Sequence, residues 1–432
     1  MANAESVFAR CIDGLVEDTI LAGLTGFGEI LMALPGVYPS DVLSSIRRLG
    51  TDERVPEHVL DRIEKLVRRP PAWEEELGRN TKMPVPHPLD YAWRFGNSAV
   101  RFLWRKALLL AGTMDEIVLL GLPCMLLRGA GLCKAHTVTL VDADQTALDL
   151  AAKAAPSARV IFADLIEHRA PKVAGAVVVT DPPWYPEYMR TFLWCARRAC
   201  RLGGHVLLCF PPEGTRPGVK EEWSQAREWA EALGLDLVGV DGLVLPYVTP
   251  LFERNALAAE GITNYPLEWR RADLATFVAR RPSTIARPSN PRLGCRWGEC
   301  VLDGVRIRVK RANERRFRAP VLQEIVPGAV LPSVSRRDER RDRIDVWSCG
   351  NRVYACAGRG VLLTVLGAME RRTDPVRAAS EGTGRSLRPQ EISLVREAME
   401  QIHRLVSVEK DEIRMYYGAQ SWTTGSRNCS AR

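Results

Sequence analysis

The sequence has no Cys-x2-Cys pair, only six histidines, and no uninterrupted apolar stretch of the roughly 20 residues that a membrane-spanning helix needs. The run from Ile117 to Leu127 is interrupted by Gly121 and Pro123, and charged residues make up 26% of the chain, so no membrane span is expected. The first residues, Met1-Ala-Asn-Ala-Glu-Ser, lack the basic start and apolar core of a secretory leader. Glu5, Asp13 and Glu17 come early, which points to a cytoplasmic protein. Eleven cysteines, odd in number and scattered, fit reduced buried thiols rather than a disulfide framework. Cys295-x4-Cys300 and Cys349-x6-Cys356 come nearest to metal-ligand spacing, but no histidine accompanies them and no metal site is expected.

A chain of 432 residues with 46% hydrophobic content can fill two or three cores. The net charge of +8 is carried mainly by arginine and is unevenly placed. Its densest stretch, 270–343, holds the pairs Arg270-Arg271, Arg280-Arg281, Arg315-Arg316, Arg336-Arg337 and Arg340-Arg341. Such a stretch is either a solvated surface or a face that tracks nucleic-acid phosphates.

Three regions follow from the patterning. Residues 1–92 read as helical, with apolar residues at helical spacing over Glu5 to Leu24, Glu29 to Leu34, Val42 to Leu49 and Glu57 to Val67. A winged-helix fragment and a plain helical packing domain both fit. The prolines of Arg69-Pro-Pro71 and Met83-Pro-Val-Pro-His-Pro88 mark a linker. Over 93–285 strands and helices alternate, which predicts a Rossmann-like α/β domain with ligands at the carboxyl ends of its strands. The expected strands are Glu116 to Leu122, Thr137 to Val141, Val160 to Ala163, Ala176 to Thr180, His205 to Phe210 and Asp236 to Val240. Over 286–432 a smaller β-rich (α+β) domain is expected, with strands at Arg306 to Lys310, Arg343 to Trp347, Val353 to Ala357 and Val361 to Val365. A helix from Pro389 to Arg404 and a loose tail from Ser421 complete it.

Acidic residues at strand ends suit a nucleoside, because a carboxylate there accepts hydrogen bonds from both ribose hydroxyls. Asp142, closing Thr139-Leu-Val-Asp142, and Asp164, closing Val160-Ile-Phe-Ala-Asp164, are so placed. Asp181-Pro182-Pro183-Trp184 ends an apolar strand with a carboxylate, two rigid residues and an aromatic, a combination that packing alone does not call for. Asp181 and the Pro182 carbonyl would accept hydrogen bonds from an amine and aim its lone pair; Trp184 would stack on a planar substrate or cover a cation. Tyr185, Tyr188 and the later Tyr247-Val-Thr-Pro-Leu-Phe252 are candidates to wall the substrate pocket, whereas Trp194 and Phe252 suit a core.

This motif resembles the Asp/Asn-Pro-Pro-aromatic signature of class I S-adenosylmethionine-dependent methyltransferases that act on amino groups, over about residues 95–262. The resemblance implies S-adenosylmethionine as cofactor, with Gly121, Asp142 and Asp164 binding it and Asp181 to Trp184 at the reaction centre. Its substrate would be an amine-bearing nucleobase, protein side chain or small molecule. Pro88-Leu-Asp-Tyr, Ala99 to Leu110 and Ile117-Val-Leu-Leu-Gly121 are also similar to the entry of the branched-chain polyamine synthases, which transfer aminopropyl groups. Both comparisons meet a departure after Gly121, where Leu122-Pro-Cys-Met-Leu-Leu127 reads as a continuing strand instead of a glycine-rich turn. No acid follows the glycine as it does in the polyamine synthases. Methyl transfer is therefore the leading expectation, with aminopropyl transfer and a non-catalytic methyltransferase-like binding module as alternatives.

Overall fold

The computed structural model describes residues 2–69, 83–132, 136–167, 172–289, 296–311 and 317–417. It divides into two compact units. The first comprises the described residues of Met1–Pro70, Trp93–Thr249 and Ile262–Arg292; the second those of Pro71–Ala92, Pro250–Gly261 and Leu293–Arg432.

The first unit begins with four helices, α1 (Ala2–Leu21), α2 (Phe27–Ala33), α3 (Pro39–Thr51) and α4 (Glu57–Val67). Val16, Ile30, Val42, Ile46 and Ile63 are buried at helical spacing among them. Arg48 pairs with Asp13 and Arg47 with Glu64, each at 2.6 Å. The Val67 carbonyl accepts the backbone N–H groups of Thr263 and Asn264 at 2.9 Å, tying the end of α4 to the rest of the unit.

The α/β part follows as β1 (Arg94–Phe95), α5 (Asn97–Leu110), β2 (Glu116–Leu120), α6 (Pro123–Gly129), β3 (Thr137–Asp142), α7 (Gln145–Ala154), β4 (Arg159–Phe162), β5 (Gly175–Thr180), α8 (Pro186–Ala199), β6 (Cys200–Phe210), α9 (Val219–Ala232), β7 (Leu235–Val248) and, after residue 261, β8 (Arg271–Ala279). Among the described residues these strands form one sheet in the order β1-β7-β8-β6-β5-β2-β3-β4. Strands β4, β3, β2, β5 and β6 are mutually parallel, and β8 lies antiparallel to both β6 and β7. This is the Rossmann-like architecture expected from the sequence. Every residue of β5 is buried, as a central parallel strand covered on both faces must be. The chain runs from β2 outward to β4 and then crosses back to β5, so the strand order reverses at β2/β5, the place where such sheets form their ligand crevice.

Three readings of the sequence are corrected. The continuing strand after Gly121 is instead a turn and a helix: Gly121 has φ +74°, and Pro123, which lacks an N–H to donate to a ladder, opens α6. Val361 to Val365 is helical, because Val361, Leu362, Val365, Leu366 and Ala368 repeat at helical spacing and all are buried. Arg343 closes a short 3-10 turn, Glu339–Arg343, and the strand begins only at Val346. Strand β8 was missed, and the β7 reading stopped at Val240 because a bulge at Leu243, with φ +53°, interrupts the alternation before the strand resumes.

The second unit contains α10 (Leu251–Ala259), β9 (Trp297–Leu302), β10 (Val305–Lys310), β11 (Val321–Glu324), β12 (Val346–Ser348), β13 (Val353–Ala357), α11 (Arg359–Glu370), α12 (Pro375–Thr383) and α13 (Pro389–Tyr417). Its sheet, in the order β11-β13-β12-β10-β9, is antiparallel throughout. Leu331, Ile344, Trp347 and Val353 form one buried cluster, and Val361, Val365, Ala379, Leu387 and Val395 another. The fully buried Glu409 accepts from the Ser348 hydroxyl and from the Gly350 N–H at 2.8 Å, and pairs with Arg352 at 3.2 Å. The tail expected from Ser421 lies outside the described residues, and among those described no helix is long and apolar enough to cross a membrane.

Candidate active site

Strand register sets the site. Leu120 of β2 is level with Val141 of β3 and with Thr180 of β5. Gly121, Asp142 and Asp181 are the next residue in each chain, so they form one row across the carboxyl edge of the sheet, spanning the β2/β5 reversal. The positive φ of Gly121 turns the chain sharply there, and its N–H donates to the Val141 carbonyl at 2.9 Å.

The two acids on the β3 side differ in setting. Asp144, not Asp142, caps α7, accepting from Thr146 N at 2.9 Å and Ala147 N at 3.3 Å. Asp142 remains half-buried at the edge, with Oδ1 accepting from Asp144 N at 2.7 Å. Asp164 lies two residues past β4, where its Oδ1 accepts from Ile166 N at 2.7 Å and Glu167 N at 3.3 Å and shapes the local turn.

Asp181 is held from two sides. The Tyr247 hydroxyl donates to its Oδ1 at 2.8 Å, and the Trp184 indole N–H also donates to its side chain. Burial pushes the Asp181 carboxyl up to about 7, although both hydrogen bonds and the Arg270 charge act in the opposite direction. Burial, and then the Asp181 charge, hold the Tyr247 phenol well above its ordinary range, so it serves as a donor. Tyr247 is positioned by ladder partners: it lies opposite Phe95, on which it stacks with ring centroids 4.6 Å apart, and its N–H donates to the Arg270 carbonyl at 2.9 Å.

Trp184 is 8% exposed, and its ring meets Tyr247 edge-on at 5.7 Å. The Arg270 guanidinium carbon lies 4.2 Å from the Trp184 ring centroid and 4.2 Å from that of Trp93. The cation over Trp184 is thus the chain's own. The Trp184 carbonyl accepts from Arg216 Nη2 at 2.6 Å, and Arg216 pairs with Glu222 and lies 5.6 Å over the Tyr185 ring. Tyr185 precedes α8 and Tyr188 lies in its first turn, with the two rings 6.4 Å apart. The Pro183 carbonyl accepts the Tyr185 N–H at 2.7 Å, a tight turn that fixes the exit from the motif. Trp194 lies apart from this group, its indole donating to the Ile285 carbonyl at 3.0 Å.

Tyr247 was legible only as a pocket-wall candidate, and Arg270, Arg216 and Trp93 were not singled out as site residues. The available signal was the aromatic content of Trp93, Trp184, Tyr247 and Trp269, which converge in ring contacts of 5.7–6.3 Å. Several other arginines of 270–343 have internal partners. In the first unit Arg281 pairs with Asp236 at 3.7 Å and Arg287 donates to the Leu165 carbonyl at 2.9 Å. In the second, Arg306 and Arg308 are shared by Asp90 and Glu299 at 2.6–2.8 Å, and Arg340 pairs with Asp338. Arg315 and Arg316 lie outside the described residues.

No protein-family model and no curated protein matches the chain. Among solved structures it is similar to a variant of the branched-chain polyamine synthase from Thermus thermophilus, in complex with N4-aminopropylspermidine and 5'-methylthioadenosine. Identity is 15%, coverage 67% of this chain and 94% of that one, and the TM-score 0.48. A TehB-like S-adenosylmethionine-dependent methyltransferase from Corynebacterium glutamicum is 17% identical over 42% of this chain and 88% of its own, with a TM-score of 0.30. The N-methyltransferase NodS from Bradyrhizobium japonicum, in complex with S-adenosylhomocysteine, is 13% identical over 42% and 87%, with a TM-score of 0.29.

Proposed function

We propose that the first unit is an S-adenosylmethionine-dependent methyltransferase acting on an amino nitrogen of a nucleobase, a protein side chain or a small amine. The observation that carries this reading is the row Gly121, Asp142, Asp181 at the β2/β5 reversal, continued by the rigid Pro182-Pro183-Trp184 turn. The residues fit the cofactor in kind: a positive-φ glycine that admits close backbone approach, and a half-buried carboxylate one strand away that does not serve as a helix cap. Gly121 would lie against the cofactor, Asp142 would hold its ribose hydroxyls and Asp164 would face its adenine. When bound, S-adenosylmethionine supplies an electrophilic methyl carbon and a sulfide leaving group.

The chain's own residues orient the nucleophile. Asp181 and the Pro182 carbonyl accept the amine N–H groups, which directs the nitrogen lone pair along the line of attack. As nitrogen gains positive charge, the Asp181 carboxylate stabilises it, and the departing proton passes to Asp181 or to water. A carboxyl poised at about 7 can take and release that proton near neutrality. The hydrogen bonds from Tyr247 and Trp184 hold its orientation before substrate arrives. Tyr185 and Tyr188 would border the substrate at the start of α8.

Calorimetric titration with S-adenosylmethionine, followed by radiolabelled methyl transfer to a panel of amines, nucleosides and peptides, tests the proposal. Saturable one-to-one binding and transfer to nitrogen are expected. Binding without transfer to any amine, or no binding at all, would leave a retained scaffold used for another purpose, and transfer only from decarboxylated S-adenosylmethionine would make it an aminopropyltransferase.

A further inference from the structure

Strand β7 leaves one side of the large sheet open. Its neighbours are β8 and β1, and β1 reaches only Tyr247 and Val248. Over 236–242, among the described residues, no strand lies on the outer side, and every residue from 236 to 240 is exposed. The open stretch ends at Leu243, whose N–H donates to Asp273 Oδ1 of its own chain at 2.6 Å. Exposed edges are commonly blocked by lysine, by proline or by being short. Residues 235–245 contain neither lysine nor proline, and they expose Leu237 (37%), Val238 (63%) and Val240 (46%). The opposite edge, β4, has four residues and exposes one large apolar side chain, Phe162.

The pairing of β7 with β8 tells which side chains share a face, because residues directly opposite one another point the same way. Leu237 and Val240 lie opposite Phe277 and Ala275, on the face where Trp223 of α9 approaches Phe277. Asp236 and Asp241 lie opposite Val278 and Leu274, on the other face. Val238 is the extra residue between Leu237 and Gly239 in a bulge. A two-fold axis between Val238 and Gly239 would therefore set Leu237 of one copy against Val240 of the other, and Asp236 against Asp241, with every side chain kept on its own face. Both strands would carry the same bulge beside the axis, so the pairing stays in step on either side. The acids come with their counterions: Arg281 pairs with Asp236 at 3.7 Å and Lys106 of α5 with Asp241 at 2.9 Å. Each meeting of Asp236 with Asp241 thus brings two acids and two bases together, and like charges are not left facing one another. Leu109, 77% exposed, follows Lys106 by three residues on the same side of α5 and widens the apolar rim.

We infer that the open edge of β7 takes a second copy of this chain, joined antiparallel about a two-fold axis, so that the sheet continues from one copy into the other. The surface lies outside the Asp181 row, and the inference does not depend on the methyltransferase reading.

Sedimentation velocity on the full chain over about 1 to 100 µM, a range suited to a narrow interface, tests the association. A dimer whose fraction rises with concentration is expected. Leu237→Lys and Val240→Lys should each weaken it by about tenfold or more, since a lysine at the join meets the other copy without a counterion. Lys106→Glu should weaken it as well, by leaving the two acids unmatched, whereas Phe162→Lys on the far edge should not. Amide hydrogen exchange of the wild type, compared between dilute and concentrated samples, should slow over 236–242, and this readout needs no variant to fold. A monomer throughout the range, a dimer that survives both Leu237→Lys and Val240→Lys, a dimer lost in Phe162→Lys, or association without protection of 236–242 would each overturn the inference.

Discussion

Tyr247 and Asp181, 66 residues apart in sequence, meet through a 2.8 Å hydrogen bond between the phenol and carboxylate Oδ1. The contact joins β7 to the first residue after β5, two strands that are not neighbours in the sheet. It exists because Tyr247 is fixed between Phe95 and the Arg270 backbone, so its hydroxyl has one place to go.

Removing that donor changes the acid. Tyr247→Phe keeps the stacked ring but withdraws a hydrogen bond that lowers the Asp181 pKa, so the carboxyl moves above its starting value of about 7. The acid limb of the kcat/KM profile is expected to shift to higher pH, with recovery of most activity at high pH. An acid limb that stays in place would detach Tyr247 from the titration of Asp181.

Asp181 also makes stability depend on pH. Its folded pKa of about 7 exceeds the ordinary 3.8, so the native state binds this proton more tightly than the unfolded chain does. The contribution is greatest below pH 4 and is lost as pH rises through about 7. Asp181→Asn removes it. Relative to wild type, the Asn variant should therefore gain stability between pH 4 and 7, by on the order of 1 kcal/mol or more. Urea denaturation at a series of pH values measures the difference, and parallel curves for the two proteins would refute the shift.

Asp142→Ala should weaken S-adenosylmethionine binding by about one to two decades, the worth of a hydrogen bond to a charged group, while the thermal transition of the ligand-free protein barely moves. The bond it accepts from the Asp144 N–H is short-range, and Asp144 keeps the α7 cap. Unchanged calorimetric affinity would remove Asp142 from the site.

How far the sequence anticipates this arrangement depends on the range of the contacts. Asp142 and Asp181 stand out because each closes an apolar, β-branched run, and period and polarity change at the same residue. The α6 helix was hidden because Leu122 to Leu127 is apolar without clear period, and only the positive φ of Gly121 with Pro123 at the helix start decides the matter. Strand β8 begins within an arginine pair, at Arg271, and pairs antiparallel inside a largely parallel sheet, which no local pattern signals. Arg270 reads as surface charge in sequence, and only the convergence of Trp93 and Trp184 moves it into the site.

The arginines of 270–343 bear on nucleic acid. Arg306 and Arg308 are balanced by Asp90 and Glu299, and Arg340 by Asp338, which removes them from a phosphate-tracking face. Filter binding with RNA and DNA should accordingly show a shallow dependence on salt. A steep fall of log K with log salt, corresponding to six or so released counterions, would restore that face.

The central claim is that Asp181 orients an amine at a working cofactor site, and a paired measurement on Asp181→Ala tests it most directly. S-adenosylmethionine affinity by calorimetry should remain close to wild type, while single-turnover methyl transfer should fall on the order of 10²-fold or more, because the lost contact matters most as charge develops on nitrogen. Wild-type rates in a variant that still binds the cofactor would contradict the assignment of the Asp181 to Trp184 turn as the reaction centre.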